Sequence, residues 1–368
     1  MKKRVCMLLT DALSFNVLCR DQLEYFHDNY EVELTLICGG SHEEVEFLKL
    51  RNVGKVIFFP FCRKPSFFRD FACLLKLFFF FLFNRFDVVV YSTPKAMLLG
   101  ALASFFAFER KRVSVIRGRA YEGFQGLKRK VYVFLDKVVV GLSTENLIIS
   151  NSLRSSYVED GFDPSDLVVL GAGSSNGIDL NRFSSVGRRE DERKKFTVGV
   201  VGRICKDKGI EQVEEVAKLV KAESQPVIFL LIGSIEDDIG QACVDRMVEQ
   251  GIATHSPFID NIQDIFMSLD LHLFLSHREG FGNVAIEAAA CSVPTFAFDV
   301  VGVRDSVKDG VSGKLFPFLD TGQVYNEIVY AINNQDVFRD KFSKSRRWVS
   351  DNFERQSVWK NYLDFYMR

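Results

Sequence analysis

At 368 residues the chain is long enough for about two domains, and its 47% hydrophobic content is enough to fill two cores. A net charge of -1 speaks against a general nucleic-acid binder, which needs a broad basic face to neutralise phosphates. The eight cysteines form no C-x-x-C pair and no histidine stands at metal spacing, so neither a zinc site nor a disulfide framework is expected. The apolar core of Met1 to Asp11 is too short for a signal peptide, and a cytoplasmic location is expected.

Lys3 to Thr10 reads as a buried strand, and Asp11-Ala12-Leu13-Ser14-Phe15-Asn16 as the loop that opens the next helix. In a parallel α/β sheet such a loop faces the ligand crevice, which puts Ser14 beside it. No Gly-x-Gly-x-x-Gly is found here, which lowers the case for a dinucleotide enzyme. Strands at Glu33 to Cys38 and Val56 to Phe59 alternate with helical stretches, so the first half reads as βαβα.

The segment Phe67 to Arg85 is dense in phenylalanine. Its longest uncharged apolar run falls short of the roughly 20 residues that span a bilayer, yet it is greasier than one side of a sheet requires. Arg63, Lys64, Arg69, Lys76 and Arg85 flank or interrupt it. Two readings stand: a helix lying in the interface of an anionic membrane, or a helix buried on most sides within the first domain.

Asp87 to Tyr91 is the next strand, followed by Ser92-Thr93-Pro94-Lys95-Ala96 and a helix from Met97 to Phe106. Val113 to Ile116 is another strand and feeds the loop Arg117-Gly118-Arg119-Ala120-Tyr121-Glu122-Gly123. Lys95, Arg117 and Arg119 thus sit at strand ends, where they suit an anionic acceptor; plain surface charge is the other reading. The pattern continues with strands at Val138 to Leu142, Leu147 to Ser150 and Leu167 to Leu170, and a polar helix from Leu153 to Asp160.

Gly171 to Phe183 is glycine-rich and polar and Arg188 to Lys195 is a dense charge run, the make-up of a linker. Expected domains are 1–183 and 184–349, with a terminal helix over 350–368 packing back on the first. Phe196 to Val201 then opens a second α/β unit and is closed by Gly202-Arg203-Ile204-Cys205-Lys206-Asp207-Lys208-Gly209. The helix Glu211 to Ala222 follows, with free amides at its start and Arg203 and Lys208 on the loop before it. A diphosphate fits that arrangement, although the loop is not of Walker type and the two bases are also compatible with an ordinary exposed loop.

After the strands Val227 to Ile232 and Leu269 to Leu275 comes Arg278-Glu279-Gly280-Phe281-Gly282-Asn283-Val284-Ala285-Ile286-Glu287-Ala288. Glu279 falls on a loop at a strand's carboxyl end, and Glu287 about two turns further on, inside a helix of small apolar residues. Burying an unpaired carboxylate costs several kcal/mol, about what hydroxyls or backbone amides of a ligand must offset; otherwise Glu287 points to solvent. Pro294 to Asp299, the loop Val300 to Asp305 and the turn Asp309-Gly310-Val311-Ser312-Gly313 complete the sheet. Helices at Val324 to Asn333 and about 345–367 end the chain.

Gly202-Arg203-x-x-x-Asp207-Lys208-Gly209, Glu279-Gly280-Phe281-Gly282-Asn283-x-x-x-Glu287, Val301-Gly302-x-Arg304-Asp305 and Asp309-Gly310-x-x-Gly313 resemble the family 4 retaining glycosyltransferases. Gly173-Ser174-Ser175-Asn176-Gly177 and Ser92-Thr93-Pro94-Lys95-Ala96 are similar to those of bacterial members acting on polyprenyl-diphosphate-linked acceptors. The resemblance implies a GT-B fold, two Rossmann-like domains facing across a cleft. It also implies transfer of an N-acetylhexosamine or hexose from a UDP-sugar to a lipid-linked saccharide, in O-antigen or capsule synthesis, on the inner face of the cell membrane. Arg203 and Lys208 would bind the donor diphosphate, Glu279 the transferred sugar and Glu287 the ribose. Gly202, Phe281, Gly282, Asn283 and Val284 would line the donor, with Ser14, Lys95, Arg117 and Arg119 toward the acceptor. No metal and no cofactor is implied. Many relatives carry two glycines where this chain has Ala12-Leu13-Ser14, and a first-domain histidine that has no counterpart at His27 or His42. The alternatives are a nucleotide-sugar epimerase or phosphorylase of the same fold, and a non-catalytic nucleotide-sugar-binding subunit at the membrane.

Overall fold

The computed structural model describes residues 2–62, 65–185, 195–223, 225–259 and 261–368. Arg63 and Lys64, the part of the charge run over 188–194 and Asp260 lie outside them. The chain divides into two compact units, Met1–Gly177 with Gln356–Arg368, and Ile178–Arg355.

The first unit runs β1 (Lys3–Asp11), α1 (Ala12–Leu18), α2 (Gln22–Asn29), β2 (Val32–Gly39), α3 (His42–Leu50), β3 (Lys55–Phe58) and α4 (Phe67–Phe83). It continues with β4 (Val88–Ser92), α5 (Pro94–Phe106), β5 (Arg112–Ile116), α6 (Gly126–Leu142), β6 (Glu145–Ile148) and α7 (Asn151–Glu159). Its six strands are all parallel, in the order β3-β2-β1-β4-β5-β6. Helices on both faces of the sheet explain why β1 and β4 are continuous apolar runs: from Val5 to Asp11 and from Val88 to Ser92 every residue is buried.

The second unit contains β7 (Phe196–Val201), α8 (Ile210–Ala222), β8 (Val227–Ile232), α9 (Asp238–Glu249), β9 (Ala253–Ser256), α10 (Ile262–Ser268) and β10 (Leu271–Phe274). After these come α11 (Asn283–Ala290), β11 (Thr295–Phe298), α12 (Val303–Ser306), β12 (Gly313–Phe316), α13 (Thr321–Asn333), α14 (Gln335–Lys341) and α15 (Ser345–Phe353). Its order is β12-β11-β10-β7-β8-β9, again all parallel. Ile210, Val213, Val216, Ala217 and Val220 form the buried stripe of α8, the 3.6-residue spacing of a helix with one face on a sheet. A last helix, α16 (Arg355–Met367), belongs with the first unit.

In both sheets strand order reverses beside the first strand, between β1 and β4 and between β7 and β10. Ligands of open α/β sheets sit outside the carboxyl ends of the strands at such a reversal.

Four expected elements differ. Val138 to Leu142 is the last turn of α6 rather than a strand, because a short valine run is equally apolar in either conformation. Leu167 to Leu170 contributes a single bridge, Val168 to Leu147. The stretch after β1 is already helical at Ala12, since Asp11 caps α1 through the Ser14 amide. The terminal helix is broken at Glu354, where the backbone turns extended and Ile178 bridges it on both sides, its N–H to Phe353 O (2.8 Å) and its carbonyl to Arg355 N (3.1 Å). All eight cysteines are free thiols, and only Cys62 is not buried.

Candidate functional site

The loops that leave β7 and β10 flank the reversal in the second sheet, and they are fastened to one another. His277 N donates to Asp207 O at 2.9 Å, and Arg278 pairs with the Asp207 carboxylate. Gly209 stands where the two backbones meet: it is left-handed (φ 74°), and a Cβ there would run into the Leu275 carbonyl. A side chain at this position would push the loops apart. The loop carrying Glu279 is braced on its other side, where Glu279 N reaches Val301 O at 3.3 Å. Gly302 (φ 80°) leaves no room for a Cβ against the Glu279 carbonyl.

This frame brings Arg203, Lys208 and Glu279 together. Lys208 donates to the Glu279 carboxylate, with side chains 21% and 15% exposed. Arg203 Nη1 donates to Glu236 Oε2 at 2.6 Å. Burial works against the Arg203 charge, but the bond to Glu236 and the nearby negative charges of Glu236 and Glu279 hold the guanidinium above its ordinary range. Arg203 therefore keeps its charge, and both bases already lean on an acid. Glu236, absent from the sequence-derived site, neutralises Arg203, while Asp207, a member of the loop motif, pairs with Arg278; which acid a base selects depends on tertiary neighbours, and no motif marks Glu236.

Gly202 ends β7 with φ 134°, and nothing lies within 4 Å of a Cβ built there. Gly282 caps α11 in a left-handed conformation, so the amides of its first turn open onto the loop. Asn283 and Glu287 follow at one-turn spacing on that helix, both half-buried. Phe281 is buried against Phe353, ring centroids 5.3 Å apart, so its side chain serves the core and only its backbone faces outward chemistry. Val284 packs on a small cluster with Phe274, Ala285 and Val303.

The first unit holds the other four. Ser14 lies inside α1, its N–H and Oγ both donating to Asp11 Oδ1 at 2.8 Å. Lys95, the second residue of α5, pairs with Asp70 of α4 at 2.8 Å. Arg119 is held by Glu122 (2.9 Å) and Asp160 (3.4 Å). Arg117 donates through Nε to Ser92 Oγ at 3.0 Å, while its Nη1 is buried without a hydrogen bond. Arg117 and Arg119 share a cavity of about 250 Å³; Ser14 and Lys95 are not among its lining residues. On the same loop as Arg117 and Arg119, Tyr121 is buried with its hydroxyl on Asp160 (2.9 Å). Among the described residues no group of three His, Cys, Asp or Glu side chains is placed to hold a metal ion.

Residues 185–349 match the family model of glycosyl transferases group 1. Over the full length, the chain is 29% identical to the capsular polysaccharide biosynthesis glycosyltransferase CapM of Staphylococcus aureus, covering 95% of this chain and 93% of that one. It is 22% identical to the Escherichia coli UDP-Gal:alpha-D-GlcNAc-diphosphoundecaprenol alpha-1,3-galactosyltransferase, covering 82% and 80%. Among solved structures it resembles Anabaena HepE in complex with UDP and glucose, with a TM-score of 0.79, 17% identity and 99% of each chain covered. The chain thus carries a group 1 glycosyltransferase domain in its second unit and is a glycosyltransferase of the GT-B fold.

Proposed function

We propose that this enzyme moves a hexose or N-acetylhexosamine from a UDP-sugar to a lipid-linked saccharide, with retention, in the synthesis of a capsular or related surface polysaccharide. One observation carries the reading: Arg203, Lys208 and Glu279 converge on two interlocked loops at the reversal point of the second sheet. The names of the capsular and diphosphoundecaprenol-dependent relatives support the pathway and the acceptor class.

In this mechanism the second unit binds donor and the first binds acceptor. Arg203 and Lys208 stabilise the charge that grows on the departing diphosphate, and no metal or cofactor is required for it. Glu279 meets the transferred sugar and Glu287 the ribose hydroxyls, while Gly202 and the turn from Phe281 to Val284 give close backbone approach. The bond from the anomeric carbon to the diphosphate oxygen breaks as the acceptor oxygen attacks from the same face. The acceptor proton leaves with the diphosphate, and no side chain forms a covalent intermediate.

The acceptor class calls for a membrane surface, and α4 supports one. No described helix is long and apolar enough to cross a bilayer. Cys73, Leu77 and Phe81 of α4 are buried, whereas Phe68, Phe71, Leu75, Phe79 and Phe83 form an exposed stripe at helical spacing. Arg69 and Lys76 lie on the same helix, and Arg85 and Arg110 line a basic hollow beyond the ends of α4 and α5. Aromatic residues beside exposed bases suit an anionic interface.

The test is to incubate the purified chain with UDP- and GDP-sugars and a synthetic polyprenyl-diphosphate N-acetylglucosamine, following nucleotide release and product mass. Acceptor-dependent UDP release with a mass gain of one sugar is expected. Conversion of the donor without acceptor indicates an epimerase, and binding without turnover a silent subunit.

A further inference from the structure

The cavity at the carboxyl ends of β4 and β5 joins Arg117 and Arg119, expected toward the acceptor, to two residues that no motif marks, Asp136 and Tyr157. Its volume of about 250 Å³ lies below the usual range of drug-sized ligand pockets, which suits a single ring. Leu18, Pro94 and Met97 give it an apolar wall, and Arg117, Asp136 and Tyr157 converge on it from β5's loop, α6 and α7.

The polar groups are incompletely used. Arg117 Nη1 has no acceptor but is closed off from solvent, so it adds positive charge behind the wall rather than a donor inside the cavity. Asp136 accepts one hydrogen bond, from Tyr157 Oη to Oδ2 at 2.7 Å, and makes no other among the described residues. Neighbouring Asp160 differs: Tyr121, Arg119 and Arg129 all donate to it. Burial, opposed by the Tyr157 hydrogen bond, pushes the Asp136 carboxyl up to about 6, which leaves it ionised at neutral pH. An available carboxylate acceptor beside an apolar wall is what a sugar's hydroxyls and C–H face require.

We infer that this cavity is the subsite for one saccharide ring of the acceptor, with Asp136 accepting hydrogen bonds from its hydroxyls. Tyr157 is a positioning residue that fixes the Asp136 carboxylate. The inference rests on the proposed transfer to a saccharide acceptor.

Two variants of the full chain test it. Asp136→Asn keeps an acceptor for Tyr157 but loses the charge that holds hydroxyls. Gly118→Trp is placed to fill the cavity from a position where an added Cβ meets nothing within 4 Å, so the new side chain starts without a backbone clash. The probes are the methyl glycosides of glucose, galactose and N-acetylglucosamine, followed by ligand-observed NMR, and UDP, followed by calorimetry. We expect glycoside binding to weaken at least about tenfold in Asp136→Asn and to vanish in Gly118→Trp, while UDP affinity stays within about twofold of the parent. With the polyprenyl-linked probe, Asp136→Asn raises acceptor KM and leaves kcat nearly unchanged, a split that a merely structural role does not produce. Failure of every glycoside to bind the parent, or binding and KM unmoved by both variants, overturns the inference. If no donor supports transfer but glycoside binding is lost in the variants, the subsite stands and the proposed reaction falls; transfer with an unmoved acceptor KM gives the converse.

Discussion

The ion pair between Lys208 and Glu279 means that a diphosphate entering the site competes with a carboxylate for the same ammonium group. Glu279→Gln removes the competitor and keeps the shape. We therefore expect UDP alone to bind about three- to tenfold tighter to this variant, a gain of about 1 kcal/mol, while sugar transfer falls by two orders of magnitude or more because the sugar loses its acidic contact. Calorimetric titration with UDP and single-turnover transfer measure the two sides; weaker UDP binding would show that Glu279 supports Lys208 rather than restrains it. His272, in β10 beneath this loop, makes a different contribution. It is fully buried, stacked on Phe274 at 5.6 Å and bonded to Thr295 through Nδ1 at 3.1 Å, and its Nε2 has no partner. Burial pushes its pKa down to about 3, so it is neutral in the fold. The unfolded chain binds a proton near pH 6.5 and the folded one does not. Stability is thus full above about pH 6.5 and is lost as pH falls toward 3. His272→Phe keeps the stacking, and its melting temperature should drop less between pH 7.5 and 5 than that of the parent. Burial also pushes His277 down, so the acid limb shrinks in this variant and does not disappear.

At the scale of elements, α4 is where an apolar surface has no partner within its own unit. Phe71, Phe79 and Phe83 are 54%, 52% and 82% exposed, so changing them to serine costs the fold little. Each exposed phenylalanine that enters a lipid interface contributes on the order of 1 kcal/mol or more. The triple variant should lose about tenfold or more of its association with vesicles containing phosphatidylglycerol while its melting temperature holds; unchanged sedimentation with vesicles would remove α4 from the membrane reading. The strands were legible in the sequence because a parallel strand covered on both faces is one uninterrupted apolar run, as in Val5 to Leu9 and Val227 to Ile232. The same rule misassigned Val138 to Leu142, where the end of a helix is equally apolar. Arg203, Lys208, Glu279 and Glu287 were legible as candidates because their loops are spaced by glycines that only close backbone packing explains. Asp136 and Tyr157 were not. They sit mid-helix on α6 and α7, with no glycine or turn to set them apart, and become neighbours only when the two helices fold onto one sheet.

For the molecule as a whole, the chain leaves the first unit after Gly177 and returns to it at Gln356, so thirteen terminal residues belong to a fold from which the 178 residues of the second unit separate them. Helix α16 buries Val358, Trp359, Tyr362, Leu363, Phe365 and Tyr366. Trp359 Nε1 donates to Asn176 Oδ1 and Tyr362 Oη to Ser174 O, both at 3.2 Å, and Lys111 Nζ donates to Phe365 O at 2.7 Å. Trp359 also packs on Tyr25 and Tyr366 on Phe26. Six buried side chains at about 1.5–3 kcal/mol each amount to on the order of 10 kcal/mol, comparable with the 5–15 kcal/mol that holds a typical domain folded. The second unit ends at Arg355 and keeps its own core, centred on Val198, Phe229, Leu273 and Phe296. A chain ending after Arg355 should therefore lose the cooperative melting of the first unit while the second retains a transition of its own and binds UDP within about threefold of the parent. Scanning calorimetry followed by UDP titration reads both. Sugar transfer and glycoside binding should disappear together, since both need the first unit folded. Two intact transitions in the shortened chain would mean that α16 covers the first unit without stabilising it, and loss of UDP binding would mean that the second unit depends on that helix after all.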